Sequence, residues 1–163
     1  MKKTIYFIGI FAALVTFSCK DEMSNEPFEN GSAIIEGTAF VNTDFTNDTL
    51  SGVDPISYET VPQGVHIYAE INSVDLVQFP SNGVNYGTIL CDTIVGTNGR
   101  FTLVVPANAG TVSVNFYADD FRANQIQFDE TVESKVFYLP DGMYSEGVHD
   151  GVTRITELRF FEK

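Results

Sequence analysis

From Ala33 onward the chain repeats one pattern: apolar side chains at every second position, interrupted by turn residues. Val65-His66-Ile67-Tyr68-Ala69-Glu70-Ile71 is the clearest case. Val65, Ile67, Ala69 and Ile71 fall on one side, and His66, Tyr68 and Glu70 on the other. A period of two is the repeat of a β-strand with one buried face. No comparable stretch carries the helical period. A chain made only of such strands must cover the apolar face of each sheet, and without helices the available cover is a second sheet.

The strands are punctuated in order. Ala33–Val41 is the first, followed by a polar excursion over 42–61. Pro62-Gln63-Gly64 turns into 65–71, and a second excursion covers 73–85. Tyr86–Val95 has apolar residues on both faces, which predicts a central strand. Asn98-Gly99 predicts a hairpin, because both residues tolerate positive φ. Arg100–Pro106 is then expected to return antiparallel, with Phe101, Leu103 and Val105 inward. Thr111–Ala118 turns Val112, Val114, Phe116 and Ala118 inward. A short strand at Val136–Leu139 and a glycine-rich loop at 141–151 follow. In Thr153–Phe161 the apolar residues Ile155, Leu158 and Phe160 change phase, which predicts a bulge. The expectation is an all-β chain: one immunoglobulin-like sandwich of about seven antiparallel strands over 33–163. Its predicted core is Val65, Ile67, Ala69, Ile71, Phe101, Leu103, Val105, Val112, Val114 and Phe116.

Some of these residues stand in a recurring order. Gly37 lies in the first strand, Pro62-Gln63-Gly64-Val65 leads into the next, Thr93 precedes Gly99-Arg100-Phe101, and Val105-Pro106 ends a strand. The order resembles the carboxypeptidase-regulatory-like, transthyretin-type sandwich over roughly 33–120. That resemblance implies a fold and brings no catalytic residues with it. The second excursion, with Val74-Asp75-Leu76-Val77, is similar to Bacteroidetes lipoproteins of this build.

The N-terminus is of another kind. Lys2 and Lys3 precede an uncharged apolar run, Ile5–Val15, and Ser18-Cys19 follows. A basic start, a short apolar stretch and a small residue before a cut form a secretory signal. The run is too short to span a bilayer. Ser18-Cys19 resembles a relaxed bacterial lipobox, in which the cysteine receives the lipid. Lys20-Asp21-Glu22 resembles the export signal that sends Bacteroidetes lipoproteins to the outer face of the outer membrane. The resulting division is a signal peptide at 1–18, an anchor and flexible tether at 19–32, and the sandwich domain at 33–163.

The charge balance excludes one class of partner. Nine Lys and Arg stand against 22 Asp and Glu, a net charge of −13. Nucleic-acid binding requires basic residues gathered on one face, so no nucleic-acid partner is expected. Catalytic motifs are absent: there is no G-x-S-x-G elbow, no H-E-x-x-H and no phosphate-cradling glycine loop. Cys91 sits in an apolar strand, where a thiol is inert without a nearby base. The histidines, His66 and His149, are far apart in sequence. No cofactor is expected.

The remaining candidates are contact residues. Asp44, Asn47 and Asp48 offer oxygen ligands on a loop, as calcium requires, although the spacing is not an EF-hand and Asx turns account for such clusters equally. No metal is therefore assigned. Phe45, Tyr58, Phe79 and Tyr144 fall in or near loops and are candidate contacts for a glycan or protein, with loop packing as the competing role. Asp48-Thr49-Leu50 resembles an O-glycosylation site of exported Bacteroidetes proteins, with Thr49 as acceptor. Asp92-Thr93-Ile94 repeats the pattern inside a strand.

Together these features predict a non-catalytic surface lipoprotein for binding, adhesion or envelope assembly, anchored in the outer membrane and facing outward. The alternative is a glycan-binding accessory of a polysaccharide-uptake system. Labelled palmitate should enter the wild-type protein and not Cys19→Ala, and protease added to intact cells should remove the body. A body protected in intact cells, with lipidation normal, would place it in the periplasm.

Overall fold

The computed structural model describes residues 19–21, 31–48 and 56–163. The expected signal at 1–18 and the expected acceptor Thr49 lie outside the described residues. The described chain contains strands β1 (Cys19–Asp21), β2 (Gly31–Val41), β3 (Glu59–Thr60), β4 (His66–Asn72), β5 (Thr88–Ile94), β6 (Arg100–Ala107), β7 (Val112–Ala118), β8 (Phe121–Ile126), β9 (Val132–Tyr138), β10 (Ser145–Val148) and β11 (Thr153–Glu162). Its only helical elements are 3-10 turns of three or four residues.

Two sheets form a β-sandwich. The first has the order β1-β5-β4-β7-β10. The second has the order β3-β2-β11-β9-β8, and β6 also pairs with β2. The strand segments thus outnumber the seven expected, because β1, β3 and β10, of two to four residues, carry too little pattern to read and β8, of six, buries only one residue. One central pair, β2 with β11, is parallel rather than antiparallel.

The expected core is the observed one. Ile67, Ala69, Ile71, Val105, Val112, Val114 and Phe116 are fully buried, and Val65, Phe101 and Leu103 nearly so. β2 contributes Ala33, Ile35, Ala39 and Val41 to the same cluster. Gly37 has a specific reason to be glycine. It lies opposite Phe101 on β6, and a methyl group there would overlap the Phe101 ring. The ring covers the backbone that the missing side chain leaves bare.

Four features differ from the sequence reading. Asn98-Gly99 does form a tight turn, with φ of 60° and 68°, but it joins strands of different sheets. β5 pairs with β4, and β6 pairs with β2. Gly99 approaches Ala39 O so closely that a Cβ would lie 2.7 Å from it. The turn is therefore a corner between sheets, not a hairpin. β5 is central, paired with β1 and β4, but only one of its faces is buried: Ile89 and Cys91 point inward, while Leu90 (43% exposed) and Ile94 (52%) face solvent. β11 has no bulge, since its register with β2 is continuous. Thr156 takes the inward position and Ile155 stands outside at 81% exposure, so an inward threonine and an outward isoleucine imitated a phase change. Finally, the expected tether 19–32 is structured at both ends. Cys19–Asp21 pair with β5, and Gly31 and Ser32 already pair with Ala107 and Pro106.

Phe116→Ala should cost about 3–5 kcal/mol in urea unfolding, as for other buried aromatics. Glu70→Ala, outside the same sheet, should stay within about 0.5 kcal/mol. Gly37→Ala adds only a methyl group and should still destabilise by about 1–3 kcal/mol, because it overpacks against Phe101.

Candidate contact surface

The outer face of the first sheet is built by the outward positions of β4, β5 and β7. β4 presents His66, Tyr68 and Glu70, each half-buried. β5 places Asp92 opposite Tyr68 and Leu90 opposite Glu70. β7 places Tyr117 opposite Tyr68 and Asn115 opposite Glu70 on the other side. The register is pinned at one end by Gly64 N–H donating to Val95 O and Val95 N–H donating to Val65 O. At the corner after β7, Asp119 N–H donates to His66 O at 3.1 Å.

Tyr68 is the centre of this face. His66 stacks on it with ring centroids 6.0 Å apart. Its hydroxyl donates to the Asp119 carboxylate at 3.2 Å. Its pKa is raised above the ordinary tyrosine value, first by partial burial, then by the charge and hydrogen bond of Asp119, then by the charge of Asp92. A depression of about 340 Å³ adjoins it, lined by Pro62–His66 and by Asp119–Arg122. Asp120 in this wall is engaged by Lys163 at 2.6 Å.

The candidates read from the sequence lie elsewhere. β2 runs from a Gly31 end to a Val41 end. The 42–61 excursion is at the Val41 end, where Thr43 O accepts from Ile126 N–H and Asn42 O accepts from Gln125 Nε2. The second excursion is at the Gly31 end, where Asp75 O accepts from Asn108 Nδ2. His149 and Asp150 lie at that same end, with Asp150 N–H donating to Asn108 O. The three excursions therefore do not form one surface.

Within the first excursion the polar groups serve the loop itself. Asp44 caps the 3-10 turn by accepting from Thr46 N–H at 3.0 Å. Asp48 accepts from Asn42 Nδ2 at 2.7 Å and from Ser57 N–H at 2.8 Å. Asn47 Nδ2 donates to Glu59 at 2.9 Å. Among the described residues no three His, Cys, Asp or Glu side chains gather as metal ligands.

The loop aromatics divide. Phe45 stacks on Phe128 at 5.3 Å. Tyr58 carries the Arg159 guanidinium 4.9 Å from its ring centroid. Tyr144 packs on the core and its hydroxyl accepts from the backbone N–H of Arg159 at 3.0 Å, so both tyrosines contact Arg159, one at its side chain and one at its backbone. Phe79 stands alone in character, 79% exposed at the other end.

The reactive side chains are separated by the sandwich. Cys91 is 1% exposed on the inner face of β5, while His66 lies on the outer face of β4. His66 precedes Ile67, which pairs with Ala118 at one end of β7. His149 follows Val148, which pairs with Val112 at the other end. Six residues of strand, about 20 Å at ~3.3 Å per residue, lie between those positions.

The sequence reading missed Tyr68, Tyr117, Asp92 and Asp119 as a group. The outward phase of each strand was legible, but the β4–β7 pairing joins residues about fifty positions apart, and no local signal reports that. No known protein family and no curated protein matches the chain in sequence.

Asp119→Asn should lower the Tyr68 pKa toward the ordinary value of about 10, because it removes the negative charge and leaves only a weaker, neutral amide acceptor, and both changes weaken the preference for the neutral phenol. Titration of ¹³C-labelled tyrosine by NMR reads this directly, and an unchanged Tyr68 would mean that the Asp119 bond is not made in solution.

Proposed function

We propose that the chain is a non-catalytic, lipid-anchored surface module that acts by contact, serving binding, adhesion or envelope assembly. The observation that carries this reading is the separation just described. The thiol is on the inner face of β5 and the two imidazoles stand at opposite ends of β7, so the fold keeps the thiol and the imidazoles apart, where nucleophilic and general-base chemistry needs them together. The outer face of the first sheet presents aromatic rings and carboxylates beside the exposed Leu90 and Ile94, a surface that suits recognition.

The anchor reading rests on Lys2, Lys3, the apolar run, Ser18-Cys19 and Lys20-Asp21-Glu22, with Cys19 bearing the lipid and the body on the outside of the outer membrane. The finer fold reading is a transthyretin-type sandwich. It is supported by the row β6-β2-β11 packed against the row β5-β4-β7-β10, and by the Gly37–Phe101 contact between two positions of the recurring motif.

The glycan-binding alternative has one observation in its favour: His66, Tyr68 and Tyr117 give that face ring surfaces on which sugars can stack. A polysaccharide array read with the intact chain separates it from protein contact. The purified chain should show no turnover on glycan and peptide panels, and cleavage at an enzyme-like rate would defeat the contact reading altogether.

A further inference from the structure

The cations of the sandwich are confined to one sheet, while acids stand on both. Every Lys and Arg of residues 31–163 lies on the second sheet or directly after it: Arg100, Arg122, Lys135, Arg154, Arg159 and Lys163. Several are already paired there, Lys135 with Glu133 and Glu162, and Lys163 with Asp120. The first sheet carries Glu70 and Asp92 on its outer face and Asp119 at its corner. Among the described residues its strands hold one cation, Lys20 of the short β1, in register with Leu90 and through it with Glu70, and the ion pairs made by the cations of the second sheet reach none of these three acids.

The three acids are arranged around one ring. Asp92 is directly across from Tyr68, Glu70 is two residues along on the same side of β4, and Asp119 accepts from its hydroxyl. Tyr117 and His66 complete the surround. An aromatic face attracts a cation through its quadrupole, and carboxylates beside it add charge attraction. A neutral glycan would leave those carboxylates uncompensated, and an acidic partner would be repelled.

We propose that this face is a docking surface for a basic segment of a partner protein, with an Arg or Lys side chain seated over Tyr68 between Asp92 and Asp119. The proposal rests on the contact reading above and names its surface and the chemistry of its partner. The acids and rings are spread over three paired strands and the corner after them, which fits an extended protein segment better than a small amine. Complementary charge of this kind sets the choice of partner and the rate of encounter. The Arg122 side of the adjoining depression forms the boundary of the acidic area.

The test uses the full chain in detergent and a fluorescent twelve-residue peptide of alternating arginine and serine, read by anisotropy at two salt concentrations. Tyr68→Leu should weaken binding at least tenfold, and Tyr68→Phe, which keeps the ring, should restore most of it. The pair Glu70→Gln and Asp92→Asn should weaken it similarly. The pair Asp129→Asn and Glu130→Gln removes the same charge from the remote β8–β9 turn and should change it less than twofold. Equal losses from both pairs would reduce the effect to net charge and overturn the site. Peptide that does not bind, or glycan or a second copy of the chain captured through Tyr68 instead, would overturn the basic partner while leaving contact function standing. Hydrolytic turnover would overturn the contact function itself.

Discussion

β2 pairs along both edges, with β6 and β3 on one side and β11 on the other. All its odd positions from Ala33 to Val41 face the core. Most of the fold's long-range order depends on that strand keeping its phase. A slip of one residue would turn Ala33, Ile35, Ala39 and Val41 outward and set Glu36 against Phe116 and its neighbours. Gly37 sharpens the constraint, because only at that position can the Phe101 ring lie across the backbone. The same ring then ties β6 to β2, and with it the corner at Asn98-Gly99.

The corners decide the architecture. β5 to β6, β6 to β7, β7 to β8, β9 to β10 and β10 to β11 all pass from one sheet to the other. Tight turns at these points bend the chain across the core rather than back along its own edge. β2 and β11 consequently run parallel, and strands distant in sequence become neighbours. The end of β8 at Ile126 is tied down by Thr43 and Asp44, which anchors the last residue of this edge strand. The first excursion therefore has a structural use that its polar composition does not announce.

The contact surface is a by-product of this topology. Each strand on its own exposes a few polar or aromatic side chains, as any half-buried strand does. Pairing β4 with β7 brings Tyr117 to Tyr68, and pairing β4 with β5 brings Asp92 to the other side. The corner after β7 then adds Asp119. The segregation of cations onto the second sheet arises in the same way, because β6, β8, β9 and β11 carry them and all four are sorted into one layer.

Local chemistry alone was enough for the all-β class, for the inward phase of β4, β6 and β7, and for the left-handed turn at Asn98-Gly99. Those properties depend on side-chain alternation and on which residues tolerate positive φ, and both are written within a few positions of the chain. It was not enough for β11, where Ile155 and Thr156 occupy faces that their hydrophobicity would exchange, because β2 holds the register through the backbone and overrides two side chains. Nor could it show which strands pair, since a ladder is made by backbone groups that every residue carries. The grouping of Tyr68, Tyr117, Asp92 and Asp119, and the confinement of the cations to one sheet, followed only from the packing of the sheets, because burying one continuous core is what determines which strands share a layer.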